Sequence, residues 1–223
     1  MKENLYEGKT RSVQVGAVVG KGDKKETEIS VEEFRGQILE TIKQLDAERR
    51  DEDEDVAEVE DRLRVLAASS LQFSLLGTNI TQPVKLQVHN QSSSFVLYNL
   101  ARMKQLVRTF EAAVARGEYP EISEVNTDLL AEDEEWELFF DFLLSYPEVI
   151  EECCRTLSLH KLVIFMCSFA STFSRYFSRV KILKDPLPHL IPSVHAKIHF
   201  VKTLSSLIIK CLDVLNVDYV SRM

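Results

Sequence analysis

Two apolar-rich stretches near the C-terminus decide the fold: residues 157–183 read LSLHKLVIFMCSFASTFSRYFSRVKIL, and residues 195–223 read HAKIHFVKTLSSLIIKCLDVLNVDYVSRM. In the first stretch Leu162, Met166, Phe169 and Phe173 recur at intervals of three and four, which places them on one side of an α-helix. Pro186, Pro188 and Pro192 separate the two stretches, and proline cannot continue a helix. The sequence therefore predicts two long helices, over about residues 158–181 and 193–216.

The rest of the chain also reads mainly as helix. Apolar spacing and the breaks at glycine and proline predict helices over about residues 31–48, 95–115, 133–144 and 147–156, helical spacing from Val59 to Leu71, and a short strand over residues 83–88. Residues 1–29 read as loop or weak strand. The polar residues 89–94 look like a hinge, so we expect one unit over residues 1–90, with an acidic, solvated insertion at 46–62, and an all-α bundle over 91–223.

Charge is unevenly distributed along the chain. The net charge is −8, yet nine Lys/Arg face only three Asp/Glu from Ser158 to Met223, which leaves 18 basic and 32 acidic residues before that point. The two parts therefore carry net charges of −14 and +6. This predicts an electrically polarised molecule, in which the acids of residues 46–62 and 132–137 face away from any nucleic acid bound by the basic region.

The basic residues of the two long helices fall on polar stripes. In the first helix the stripe consists of Lys161, Ser168, Thr172, Arg175 and Arg179, and in the second it consists of His195, His199, Lys202, Thr203, Ser206 and Lys210. Such stripes are more often plain solvated faces. The local excess of positive charge favours contact with RNA phosphates, and Tyr176 and Phe177 are candidates for stacking on loop bases, although core packing is the better interpretation for at least one of them.

No catalytic or metal-binding constellation stands out. His195 and His199 have the spacing of a metal pair but lack an evident third ligand, no nucleophile motif occurs, and the acids cluster in runs. We expect no cofactor and no metal. The four cysteines read as reduced, buried thiols, and no apolar run approaches the roughly 20 residues that cross a bilayer, so a cytoplasmic protein without a membrane or DNA partner is expected.

Several segments resemble the C-terminal anticodon-binding bundle of arginyl-tRNA synthetases. NQSSSFVLYNLAR, residues 90–102, keeps Tyr98, Ala101 and Arg102 of that family's opening helix, Phe173 to Phe177 reads FSRYF, and the chain ends in Ser221, Arg222 and Met223. Together with GEYPEIS at 117–123 and EEWELFFDFLLSYPEVIEE at 134–152, the chain looks most like the family of DALR anticodon-binding-domain-containing protein 3.

That resemblance implies a mainly α, DALR-type bundle preceded by a worn α/β tail of a synthetase-like catalytic domain. It also implies a non-catalytic protein that binds the anticodon arm of arginine tRNA and brings it to a tRNA methyltransferase that makes 3-methylcytidine. With the charge pattern, it suggests an RNA-binding set: Arg102, Lys161, Arg175, Phe177, Arg179, Lys181, Lys202 and Lys210.

Two other interpretations stay open. The chain can be the C-terminal piece of a genuine arginyl-tRNA synthetase, although no H-I-G-H segment is present and Lys9 to Ser12 is a poor substitute for the adenylate-stabilising loop. It can also be a protein-interaction scaffold that has lost RNA binding.

Overall fold

The computed structural model describes residues 18–20, 31–47, 56–86 and 91–219. The elements are β1 (Val18–Gly20), α1 (Val31–Ala47), α2 (Val56–Leu76), β2 (Val84–Leu86), α3 (Gln91–Ala115), a 3-10 turn (Thr127–Leu129), α4 (Asp133–Glu137), a π-helix (Leu138–Leu144), α5 (Tyr146–Thr156), α6 (His160–Arg179) and α7 (Ile191–Val214). The described residues are therefore mainly helical, as the sequence predicts. The terminal triad of residues 221–223 and Lys9 to Ser12 lie outside them.

The long helices form because their apolar residues repeat at helical spacing and bury one side. Leu162, Met166, Phe169, Phe173 and Tyr176 of α6 are at most 1% exposed. α7 begins beside Pro192, where the missing N–H costs nothing, and the extended backbone of Val180 ends α6. α3 and α5 end in left-handed positions, at Gly117 (φ 75°) just beyond α3 and at Leu157 (φ 52°).

The core is continuous through the bundle. α3 packs against α2, α6 and α7, and α6 packs against α4 and α5. Buried side chains from Phe34 of α1 to Leu212 of α7 belong to one apolar cluster. The hinge predicted at 89–94 is wrong for residues 91–94, which begin α3. Residues 87–90 lie outside the described part, and the division into two units at residue 90 stays a prediction.

The strand predicted at 83–88 is β2, which pairs in parallel with β1 in the register Val18 to Val84. The solvated insertion predicted at 46–62 is wrong for residues 56–62, because they begin α2 and Val59 is buried. Val59, Leu63 and Leu66 share a helix face, and their burial outweighs the acidic composition around them.

The segment predicted as one helix over 133–144 contains two types of helix. It is α-helical to Glu137 and π-helical from Leu138 to Leu144. Leu138 and Phe142 are buried in the core. The centroid of the Phe142 ring lies 5.3 Å from that of Phe165 and 5.5 Å from that of Phe169. This packing fixes α4 and the π-helix on the surface of α6.

Candidate nucleic-acid interface

The two arginines of the α6 stripe are held by carboxylates of the preceding segment. Arg175 pairs with Glu137, which also accepts a 3.0 Å hydrogen bond from Thr172 Oγ1. Arg179 pairs with Glu134 and lies 3.1 Å from Glu132. The Arg179 guanidinium beside Glu134 holds the pKa of that carboxyl below its usual range.

Two other predicted lysines are also paired. Lys161 at the start of α6 pairs with Glu152 of α5, and Arg155 Nε donates to the same carboxylate at 2.8 Å. Lys161, followed by Arg155, lowers the pKa of Glu152. Lys202 of α7 donates to Glu111 of α3 at 2.9 Å.

The structure corrects the predicted charge map. Of the eight Lys/Arg between 158 and 219, five pair with carboxylates of earlier elements: Lys161, Arg175, Arg179, Lys197 and Lys202. Four acids of residues 132–137 bind basic residues of α6 and α7, so the two charged segments are not separate poles; that these acids face away from a bound nucleic acid stays a prediction. These carboxylates offset part of the positive charge that the sequence places on α6.

Lys197 belongs to a buried polar cluster that the sequence interpretation missed. Its Nζ lies 2.5 Å from Glu135 Oε1, which also accepts a 2.7 Å hydrogen bond from the Tyr176 hydroxyl. Burial, followed by that hydrogen bond, raises the pKa of Tyr176 far above its usual range. The signal was available: Lys197 shares the helix face of Val194, Ile198 and Val201, where an apolar residue is expected.

Two residues assigned to the polar stripes are buried. His195 is 6% exposed, its Nε2 lies 3.2 Å from the carbonyl oxygen of Pro120, and its ring meets Phe110 edge-on at 5.8 Å. Thr172 is also buried, against Glu137. Both positions look polar in a helical projection, but neighbouring elements cover them. Tyr176 is fully buried, so the expected core role of one aromatic at this helix end is confirmed.

Arg102 and Phe177, both predicted site residues, come together where α3 packs on α6. The Arg102 guanidinium lies 4.0 Å from the centroid of the Phe177 ring and 5.2 Å from that of Tyr98. Among the described residues no carboxylate pairs with Arg102. Tyr98 is 44% exposed, so the cluster offers both a cation and an aromatic surface to solvent.

The exposed face of α3 extends this cluster with two cations that were not predicted. Lys104 Nζ lies 4.0 Å from the Tyr219 ring centroid, and Arg108 is exposed. Burial, and then the charge of Arg108, lower the pKa of Lys104. Lys104, Arg108 and Lys202 line a shallow groove of about 240 Å³ with Glu111 and Ser205. We call Tyr98, Arg102, Lys104 and Arg108 the α3 face.

A sequence signal for the α3 face was present. Residues 91–110 contain three cations and no acid, a local excess that the count over larger segments concealed. The remaining predicted residues, Lys181 and Lys210, are exposed and have no carboxylate partner within the described ranges. None of the predicted RNA contacts is tested by this geometry, and all eight stay predictions.

Other kinds of site find no support in the part of the chain that the structure describes. No three His, Cys, Asp or Glu side chains there are grouped to hold a metal ion. Cys153, Cys154, Cys167 and Cys211 are free thiols, but the prediction that all four are buried is wrong for Cys154, which is exposed. No described helix combines the length and apolarity that a bilayer crossing requires.

The model of the DALR anticodon binding domain matches residues 96–223, more than half of the chain. The chain belongs to the DALR anticodon-binding domain family. The matched region contains almost all of α3, the whole of α6 and α7, and all four residues of the α3 face.

Curated relatives carry two kinds of name. The chain is 30% identical over 187 residues to "DALR anticodon-binding domain-containing protein 3" of Danio rerio, covering 74% of this chain and 34% of that protein. It is 24% identical over 164 residues to "Arginine--tRNA ligase" of Borrelia garinii, covering 71% of this chain and 27% of that protein. The chain thus spans about a third of the length of these relatives.

Solved structures show the same fold. The arginyl-tRNA synthetase of Thermus thermophilus matches 93% of this chain and 34% of its own, with a TM-score of 0.74 at 18% identity. The enzyme from Plasmodium falciparum matches 88% of this chain and 34% of its own, with a TM-score of 0.68 at 15% identity. The resemblance read from the sequence, to the DALR family and to the C-terminal region of arginyl-tRNA synthetases, is confirmed.

Proposed function

We propose that this chain is a non-catalytic tRNA-binding protein of the cytoplasm, which recognises the anticodon arm of arginine tRNA and brings it to a tRNA methyltransferase that makes 3-methylcytidine. The observation that carries the proposal is the match over residues 96–223 to a family described as an anticodon binding domain. Relatives named as DALR-domain proteins and relatives named as arginine–tRNA ligases are both similar to this chain. The names of those ligase relatives support arginine tRNA as the ligand.

The α3 face is the RNA surface that the geometry favours. Residues 91–110 contain no acid, and phosphate contact at Arg102 releases counterions without breaking the carboxylate pairs that occupy α6. Tyr98, which is 44% exposed, adds an aromatic ring on which an unstacked loop base can lie, and Arg102, stacked over Phe177, can contact a phosphate. A single-stranded anticodon loop presents both groups.

A second candidate function is that of a piece of an arginine-tRNA ligase, which the ligase relatives favour. The binding surface would be the same, but the chemistry would require adenylate-binding loops that residues 1–223 do not contain in recognisable form. Arginine-dependent pyrophosphate exchange separates the two. The proposal expects no exchange above background, and measurable exchange would favour the ligase.

Capture from total tRNA identifies the ligand, because every tRNA in the mixture competes for the chain. The full chain is immobilised, incubated with total tRNA, washed, and the retained tRNA is sequenced. Arginine isoacceptors should be enriched, and Arg102→Ala should lose most of that enrichment. Arg116→Ala is the matched control, because Arg116 lies just beyond the end of α3 but is already paired with Glu118 at 2.6 Å.

Equal retention of all tRNAs, or no retention, would contradict the proposal.

The delivery step needs its own assay: the purified chain is added to a 3-methylcytidine methyltransferase with arginine tRNA as substrate. The wild-type chain should increase the rate at which the arginine tRNA is methylated, and Arg102→Ala should increase that rate by less. An unchanged rate with the wild type would remove delivery from the proposal and leave tRNA binding standing.

A further inference from the structure

A second surface, on different elements, presents aromatic side chains to solvent. Trp136, Phe139, Phe140 and Leu144 of α4 and the π-helix are 51%, 37%, 53% and 53% exposed. The Trp136 and Phe140 rings stack with centroids 5.7 Å apart, and Phe139 meets Phe140 edge-on at 5.2 Å. We call these four residues the aromatic patch. Clustered large apolar side chains in water are characteristic of interaction sites.

The π-helix explains why the patch is broad. Its i→i+5 hydrogen bonds put more residues into each turn than an α-helix does, so the successive residues Phe139 and Phe140 both reach the surface while Leu138 and Phe142 stay in the core. π-helical turns occur frequently at functional sites. The patch is thus held outward on an element that the core fixes in place.

The charge around the patch selects the kind of partner. Residues 131–154 contain nine acids and no Lys or Arg, and five of those acids, Glu132, Glu134, Glu135, Glu137 and Glu152, are paired with cations from outside this range. Asp133, Asp141, Glu148 and Glu151 are exposed and take part in no ion pair among the described residues. A nucleic-acid backbone would meet repulsion here, whereas a basic peptide would be attracted.

We propose that the aromatic patch docks a protein partner through a segment whose apolar side chains are flanked by Lys or Arg. The inference rests on the delivery step of the proposed function and names the surface that serves it. The aromatic side chains supply the buried centre of the contact, and the acidic rim sets orientation and association rate. tRNA occupies the α3 face at the same time.

Trp136 is the only tryptophan in the chain, so its fluorescence reports on this surface directly. The probe is a short amphipathic peptide built of leucine and lysine at helical spacing, and its control is the same peptide with glutamate in place of lysine. The lysine peptide should shift Trp136 emission to the blue and saturate, and the glutamate peptide should not. Phe140→Ser should weaken binding about tenfold or more.

Two further variants refine the test. Asp133→Asn with Asp141→Asn should weaken binding and reduce its salt dependence, whereas Leu187→Ser, at a residue 47% exposed elsewhere, should leave it unchanged. Circular dichroism checks that each variant is folded.

The proposal would be overturned by the absence of a shift, by equal binding of both peptides, by displacement of the lysine peptide with arginine tRNA, or by a concentration-dependent shift of the chain alone, which would indicate self-association. The two proposals fail separately. If tRNA binding is absent but the peptide binds selectively, the proposed function fails and the docking surface stands.

Discussion

Lys197 Nζ lies 2.5 Å from Glu135 Oε1, and the two side chains are 4% and 1% exposed. This ion pair joins α7 to α4, and the Tyr176 hydroxyl brings α6 to the same carboxylate at 2.7 Å. The other Glu135 oxygen accepts the backbone N–H of Glu132 at 3.0 Å, which completes the capping box of α4. The cluster therefore fixes the segment whose acids neutralise α6 and whose aromatic side chains form the patch.

Lys197→Met should destabilise the fold by about 3–5 kcal/mol, because it leaves the Glu135 carboxylate buried without its cation. Lys197→Met with Glu135→Gln should recover part of that loss. The exposed pair of Lys202 with Glu111 is the control, and Lys202→Met should cost about 1 kcal/mol or less. Urea unfolding measures all three, and equal losses for Lys197→Met and Lys202→Met would contradict a structural role for the buried pair.

Acid should destabilise the protein through Glu134 and Glu152. Both carboxyls have pKa values below the ordinary 4.5, because Arg179 and Lys161 donate hydrogen bonds to them. A depressed pKa contributes stability that is present above the unfolded-state value and is lost as the pH falls through the folded-state value. The free energy of unfolding should decline as the pH drops below 4.5, with a smaller decline in Arg179→Ala; identical pH profiles would contradict the pairing of Arg179.

The cysteines should differ in reactivity. Cys211 is fully buried, and burial raises its pKa to about 12, while Cys154 is exposed. Alkylation near pH 8 should therefore modify Cys154 quickly and Cys211 only after unfolding, because the thiolate is the reactive form. Mass spectrometry of peptides from native and denatured protein measures this. Equal native rates at both cysteines would show that α7 is less well packed than described.

The helices could be predicted from sequence because their signals are local. The proline break after α6 and the apolar repeat of Leu162, Met166 and Phe169 place both ends of α6 within two residues of the observed His160 and Arg179. The π-helix was missed because its residues have the same apolar repeat as an α-helix. The exposure of Trp136 and Phe140 was missed because a large apolar side chain is expected in the core.

The site was harder to predict because its electrostatics is not local. The carboxylates that neutralise Arg175 and Arg179 lie between 38 and 47 residues earlier in the chain, and no periodicity links the two positions. Arg102 and Phe177 were found through a family resemblance, but their contact depends on the packing of α3 on α6. The residue types can thus be predicted from sequence, whereas the packing of the helices decides which basic residues are paired with carboxylates.

The salt dependence of arginine tRNA binding tests the central claim most directly. Two triple variants are compared with the wild type: Arg102→Ala, Lys104→Ala and Arg108→Ala on α3, and Lys161→Ala, Arg175→Ala and Arg179→Ala on α6. The slope of log K against log salt is negative, and removal of one phosphate contact reduces its magnitude by about 0.7–0.9. We expect the α3 triple to reduce the magnitude of the slope by about two and the α6 triple to reduce it by less than about one. An unchanged slope in the folded α3 triple, with a magnitude reduced by about two or more in the α6 triple, would contradict the account and place the RNA on α6.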